Sequence, residues 1–218
     1  MQHTVALAGH GVRLLPLAPL QAEQLFPLID AELWAGMAAR RPENPEALAQ
    51  LFAVRLEDPG SLPFAVAQDR TGALIGTTGL YELNPVQGRT EVGGTFFGRA
   101  YWGSGANDAS KLLLLGHAFE ALGVSRVGFR LDPRNLRSAN ALRRMGAQYE
   151  GTLRSYRAEH EEGGVPSEGG VPSNAPGASV QRARIDTAVF SVLDDEWPGV
   201  RARLLDRLAV RHGAEEAA

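Results

Sequence analysis

The sequence predicts an α+β fold, a mixed and mostly antiparallel sheet of about seven strands flanked by helices. Two observations carry this. Strand-like and helix-like segments follow one another in the order β-α-α-β-β-β-α-β-α-β-β-α, which is neither a regular βα alternation nor an all-β pattern. Two of the connections, Asp69-Arg70-Thr71-Gly72 and Asn84-Pro85-Val86-Gln87-Gly88, are rich in turn formers and suit antiparallel hairpins.

The elements can be justified in chain order. Residues 10–17 alternate as a first strand, stopped by Pro16 and Pro19. Residues 21–37 carry Leu25, Leu28, Ile29 and Leu33 at helical spacing, and a second helix runs over 45–57, with Asn44 as N-cap and Pro45 as its first residue. Three strands follow at 62–68, 73–83 and 89–97. A helix over 106–122 has Leu112, Leu115, Phe119 and Leu122 on one face and Gly123 as its stop signal. A strand at 126–131, a helix at 136–145 ending at Gly146, and strands at 147–156 and 185–193 complete the sheet. A closing helix spans 194–211, with acids at its positive end and Pro198 in the first turn.

The segment 158–182 stands apart. It is Gly/Pro/Ser-rich and repeats one hexapeptide in tandem, at 162–167 and 168–173. Such a composition buries too little apolar surface to order itself, so the reading is a flexible hairpin-loop insertion in a single domain over 1–218.

Composition narrows the function. The 218 residues contain no cysteine, which excludes disulfides, thiolate metal sites and a cysteine nucleophile. The longest apolar run, 112–115, is too short to span a bilayer, and the N-terminus has no signal-peptide pattern, so a cytoplasmic protein without a membrane partner is expected. A net charge of −3 argues against a nucleic-acid partner. The five histidines show no ligand spacing, and no metal is expected. Between positions 126 and 157 there are eight arginines against Asp132 and Glu150, either a solvated basic face or a patch for a polyanion.

One local motif carries chemistry. The strand at 89–97 feeds Trp102-Gly103-Ser104-Gly105-Ala106-Asn107-Asp108, where a helix begins. Glycines allow close approach of a ligand, and the first helical turn leaves N–H groups unpaired, which together make an anion site. No Lys-Ser/Thr pair follows the second glycine, as a P-loop requires. Position 108 is Asp108, where a dinucleotide fingerprint needs glycine.

With that loop in place, the chain resembles the GNAT superfamily of acetyltransferases, and within it the RimJ/RimL-type branch of ribosomal-protein N-acetyltransferases. The resembling segments are Ile75 to Leu80, Glu91 to Phe97, Tyr101 to Gly105, Asn135 to Ser138, Arg144 to Ala147, Glu150-Gly151 and Asp186 to Ser191. The superfamily's pyrophosphate motif, Gln/Arg-x-x-Gly-x-Gly/Ala, falls on Trp102 to Asn107. Gly105 matches, Trp102 stands for Gln/Arg and Asn107 for Gly/Ala.

The resemblance implies acetyl-CoA as co-substrate and a sheet splayed between the fourth and fifth strands. Pantetheine would lie along Phe96, Phe97 and Gly98, and the diphosphate on Trp102, Gly103, Ser104, Gly105, Ala106, Asn107 and Asp108. Asn135 would bond the pantetheine arm. Acetyl transfer to a primary amine, on a protein N-terminus or a small molecule, would proceed by direct attack.

Glu91 is the implied general base and Ser138 the group near the thiol. The tyrosine that many members use as general acid falls at Leu142, and a carboxylate used by some RimL-type enzymes falls at Arg157, so water-mediated proton removal stays open. Trp34 and Tyr81, with Phe26 and Met37, are candidate acceptor-lining residues, each alternatively core. Homodimerisation is a further expectation of the resemblance. The competing reading is a non-catalytic CoA-binding or regulatory module.

Overall fold

The structure, a computed structural model, describes residues 3–37, 39–158 and 183–216. Its eight strands form one sheet in the order β1-β2-β3-β4-β5-β6-β8-β7. All neighbours are antiparallel except β5 and β6.

The sheet has one strand more than expected. The segment read as a single strand over 10–17 is the second arm of a hairpin, β1 (Leu7–Gly9) and β2 (Val12–Pro16). His10 and Gly11 sit between them at φ 53° and 79°. Positive φ at both central positions gives a tight turn whose twist suits the flanking strands. The hairpin continues into β3 (Leu62–Gln68), β4 (Leu74–Asn84) and β5 (Arg89–Phe97).

The helix expected over 21–37 is broken. Pro27 has no N–H to donate, and Asp30 starts a new turn by accepting from Leu33 N at 2.8 Å. Two single turns result, α1 (Ala22–Leu25) and α2 (Ala31–Trp34). Helix α3 (Pro45–Glu57) opens as read, with Asn44 Oδ1 accepting from Ala47 N at 2.8 Å. Helix α4 (Ala106–Gly116) runs on into a wider turn, where Leu122 N donates to His117 O at 3.0 Å. Helix α5 spans Leu136–Met145 and ends on Gly146, at φ 102°. The closing helix α6 (Trp197–Glu216) begins three residues later than read, because Asp194 to Glu196 form its entry turn. None of the described helices is long and apolar enough to cross a membrane.

The alternation of side chains along each strand divides the core in two. On β3, Phe64 and Val66 join Leu80, Leu114, Leu115, Phe190 and Leu204 in the larger core, which α4, α5 and α6 cover. Ala65, with Phe96 of β5, joins Leu25, Trp34, Leu48 and Phe52 of α1 to α3 in the smaller core. Helices therefore pack on both faces of the sheet.

The feature that positions a site is the junction of β5 with β6 (Arg126–Leu131). Their parallel ladder has only three rungs, Arg89 to Arg126, Thr90 to Val127 and Glu91 to Gly128. Beyond Glu91 the two strands part, and the sheet is splayed between the strands read as fourth and fifth. On the far side of β6, β8 (Arg184–Leu193) lies between β6 and β7 (Gln148–Ala158). Apart from Ala158, which ends β7, the loop expected at 158–182 lies outside the described residues.

Candidate active site

The parting of β5 and β6 opens a cleft of about 1000 Å³. Its walls come from β5, the loop before α4, α4 itself, α5, the last turn of α3 and one face of α6.

The glycine loop forms one end. Gly105 adopts φ 89° as the residue before α4, a left-handed conformation in which a side chain is strained. A methyl group there would lie 3.2 Å from Arg211 Cδ and 3.4 Å from Leu208 Cδ2, so α6 packs against the loop at this point. Ser104 donates from Oγ to Tyr101 O at 2.8 Å and braces the turn. The first N–H groups of α4 have no acceptor within the helix, and their dipole favours a negative group.

Trp102, standing where the superfamily motif has Gln or Arg, has two cations against its ring. Its indole N–H donates to Phe97 O at 2.8 Å, which fixes the ring. The Arg137 guanidinium lies 3.7 Å over the ring centroid, and that of Arg99 lies 5.0 Å from it. Arg99 is tied down by Asp30 and Glu32, whereas Arg137 faces the cleft. Burial lowers the Arg137 pKa from its ordinary value. A positive charge is thus held at this loop from α5, although the loop's own position carries an indole.

Helix α6 adds two more arginines. Arg207 Nη2 donates to Asp108 Oδ2 at 2.7 Å, and Arg211 donates to Gly103 O while lying 4.0 Å from the same carboxylate. Asp108, 7% exposed, is neutralised in place. Lys111, the chain's only lysine, sits one turn further along α4. It is buried in the cleft wall and donates from Nζ to Thr95 Oγ1 at 3.2 Å. Burial lowers its pKa to about 8, against the opposing pull of Asp108.

Glu91 occupies the middle of the cleft, on the last rung of the β5–β6 ladder. Gly128 opposite it leaves room for the carboxylate, since a methyl there would lie 3.2 Å from Glu91 Cγ. Arg130 Nε donates to Glu91 Oε2 at 2.6 Å, and Arg130 is also held by Glu82 and by Tyr156 Oη at 2.7 Å. Burial raises the Glu91 pKa, and Arg130 pulls the other way without cancelling it. For Arg130 burial works against the charge, and the two carboxylates more than restore it. The group is therefore a carboxylate whose proton affinity is raised and whose orientation is fixed.

The remaining residues singled out from sequence divide between the cleft and its surroundings. Phe96, Phe97, Trp102, Gly103, Gly105, Asn107, Asp108, Asn135 and Ser138 line the cleft, as do Tyr81, Met37, Leu142 and Arg157. Gly98, Ser104 and Ala106 lie behind the lining; a methyl at Gly98 would meet Leu28 at 3.0 Å. Asn135 caps α5, its Oδ1 accepting from Ser138 N at 3.0 Å, which leaves its amide N–H₂ as the donor. Arg157 lies 3.5 Å from Asp132.

Trp34 is a core residue outside the lining: it is 3% exposed, donates to Ala39 O at 2.7 Å and leans on Phe96 at 5.6 Å between centroids. Phe26 likewise packs on the smaller core. The cleft residues not singled out as site residues from sequence include Arg55, Lys111, Arg137, Arg207 and Arg211. Arg137 lay within the basic stretch 126–157, but nothing local marked the others.

Comparison with known proteins agrees with this geometry. The acetyltransferase (GNAT) domain matches residues 12–148. The chain is 31% identical over 93 residues to the uncharacterized N-acetyltransferase p20 of Bacillus licheniformis, covering 43% of this chain and 52% of that one. The match thus spans about half the length of that curated relative. A crystal structure of a candidate acetyltransferase from T. thermophilus is 34% identical, with a TM-score of 0.77 over 95% of this chain and 99% of that one. A GCN5-related N-acetyltransferase from Brucella melitensis shares the fold, with a TM-score of 0.78 at 23% identity over 94% of this chain and 86% of that one. Members of the matched family use acetyl-CoA. With the match running from the start of β2 through the splay, the glycine loop and α5, this chain belongs to the GNAT acetyltransferase family.

Proposed function

We propose that this chain is an acetyl-CoA-dependent N-acetyltransferase of the RimJ/RimL type that acetylates a primary amine by direct attack in a ternary complex. The observation that carries the reading is the splayed β5–β6 junction, with an anion-binding loop at one end of the cleft and a buried, oriented carboxylate at its middle.

The residues present fit the co-substrate. A diphosphate matches the N–H groups of the first turn of α4 beyond Ala106, whose own N–H donates to Ser104 Oγ, next to the backbone of Gly103 and Gly105 and the Arg137 charge. Asp108 would repel phosphate, but Arg207 already neutralises it. An extended amide-bearing arm matches the edge of β5 beyond Glu91, which lacks a β6 partner and so presents unsatisfied backbone groups to the cleft. Asn135 N–H₂ offers a further donor there. When bound, acetyl-CoA supplies an activated acetyl thioester.

The rest of the chemistry falls to this chain. Glu91 removes a proton from the attacking ammonium, directly or through one water, and its raised pKa brings it toward the acceptor's own. Arg130 orients it. Ser138, at the start of α5, is the hydroxyl set to donate a proton to the departing thiolate, since Leu142 rules out a phenol at the position where relatives carry one. Fixing amine and thioester in one cleft contributes most of the acceleration. Tyr81 and Met37 line the acceptor end, and Trp34 supports it from behind through Phe96.

The test is an amine panel of peptide N-termini, polyamines, aminoglycosides and amino acids, assayed by thiol release from acetyl-CoA and by mass spectrometry. Acetylated product is expected for at least one class. Tight CoA binding by calorimetry with no turnover on any of them would replace this reading with that of a CoA-binding module.

A further inference from the structure

Arg55 sits in the last turn of α3 and lines the cleft. Its Nη1 is buried and has no hydrogen-bond partner among the described residues. A guanidinium nitrogen removed from water without an acceptor is costly, and such groups in folded proteins find a partner or meet one when a ligand binds. Two other cations of the cleft have carboxylate partners, Arg130 in Glu91 and Glu82, and Arg157 in Asp132.

The position of Arg55 relative to β5 gives the inference its content. Gly94 bulges from β5 at φ 58°, where Thr77 Oγ1 donates to its carbonyl at 2.7 Å. A methyl on Gly94 would lie 3.3 Å from Arg55 Nη1 and would overlap the Tyr81 hydroxyl. Arg55 and Tyr81 therefore border the same point of β5, three residues beyond Glu91, and all of them line the one cleft. Tyr81 pairs with Glu91 across β4 and β5, so an acceptor presented to Glu91 would extend along this stretch of β5 toward Arg55.

We propose that Arg55 binds a carboxylate on the acceptor, so that the acceptors of this protein are primary amines carrying a carboxylate close to the amino nitrogen, as α-amino acids do. This rests on the transferase reading above for the location of the acceptor site. The planar guanidinium fork matches a carboxylate through two parallel N–H···O bonds, and a full charge with one nitrogen buried gains more from an anion than from a neutral carbonyl. A peptide N-terminus offers only the neutral carbonyl at that distance, and a polyamine offers a second cation that Arg55 would repel.

The experiment compares matched pairs by calorimetry on the CoA-loaded protein and by acetylation. Leucine, methionine, phenylalanine and arginine are set against isopentylamine, 3-(methylthio)propylamine, phenethylamine and agmatine, with alanyl-alanine amide as the peptide arm. At least one amino acid is expected to bind roughly 10- to 100-fold more tightly than its decarboxylated partner. In Arg55→Met that ratio should fall toward one, with the Kd for CoA unchanged. Arg55→Lys should recover part of it, since charge returns without the fork.

Equal binding within every pair, tighter binding of the amines or of the peptide, or an unchanged ratio in Arg55→Met would overturn the proposal. So would a carboxylate arm with no binder at all. Arg55-dependent binding of an amino acid that is never acetylated would support the carboxylate site and remove the transferase reading instead, so the two fail separately.

Discussion

Arg130 Nε donates to Glu91 Oε2 at 2.6 Å, just beyond the rung at which β5 and β6 cease to pair. The ion pair closes the mouth of the splay and fixes the carboxylate proposed to move the proton. Burial raises the Glu91 pKa, and Arg130 restrains that rise. The rate should accordingly increase with pH as Glu91 loses its proton, with a midpoint above the ordinary carboxylate range. Removing the restraint in Arg130→Met should move this limb to higher pH. In Glu91→Gln the limb should vanish and kcat should drop by about 100-fold or more. A pH profile of kcat/KM for the three proteins checks both, and an unshifted limb in Arg130→Met would separate it from Glu91.

Gly105 offers a test of the loop. Its φ of 89° and the 3.2 Å approach of Arg211 Cδ to a would-be methyl mean that a side chain disturbs both the backbone and the seat of α6. Gly105→Ala should lose about 1–2 kcal/mol of stability and weaken CoA binding by at least about tenfold. Gly105→Val should do more on both counts, because a β-branched residue is worse at positive φ. Thermal melts with calorimetry measure the pair. Normal CoA affinity in a folded Gly105→Val would remove the loop from the cofactor site.

Trp102 and Arg137 should act as one unit. Arg137→Met should weaken CoA binding by about tenfold and reduce its salt dependence, since one phosphate-facing charge is gone. Trp102→Leu should have much the same effect without altering the protein's net charge, because the guanidinium loses the ring that holds it. The double variant should be little worse than either single one. Fully additive losses in a double-mutant cycle would show that the stack does not position the charge.

Lys111 gives a prediction on stability. Its pKa in the folded chain is about 8, against an ordinary 10.5, with burial as the cause. Between those values the unfolded chain binds the extra proton and the folded chain does not, so stability rises with pH across that window. The interval corresponds to about 3 kcal/mol, the gain being complete once pH passes 10.5. Lys111→Met should lack the rise, and at pH 7 it should be no less stable than the wild type despite losing the bond to Thr95. Denaturant melts from pH 7 to 10 would read this, and parallel curves for the two proteins would count against it.

Much of the fold was legible because the signals were local. Pro45 after Asn44, Gly123 and Gly146 mark where helices start and stop through their own backbone constraints. The strands at 62–68 and 89–97 could be read from apolar runs between turn formers. The failures were local as well. Pro27 and Asp30 held the information that a helix over 21–37 is interrupted, and periodicity at Leu25, Leu28, Ile29 and Leu33 outweighed it. His10-Gly11 was a hairpin turn inside what read as one strand.

The sequence by itself determined the element order from α3 onward, the glycine loop at the head of α4 and the resemblance that makes Glu91, Asn135 and Ser138 matter. Those depend on neighbours in the chain or on motifs of fixed spacing. Only the tertiary structure decided which charges share the cleft. Arg55, Arg137, Arg207 and Arg211 arrive from three helices, and each is unremarkable among its sequence neighbours. Their significance lies in distances across the fold, such as Arg137 over Trp102 at 3.7 Å and Arg207 to Asp108 at 2.7 Å. Electrostatic interactions are set by separation in space and by burial, and a linear sequence specifies neither until the chain has folded.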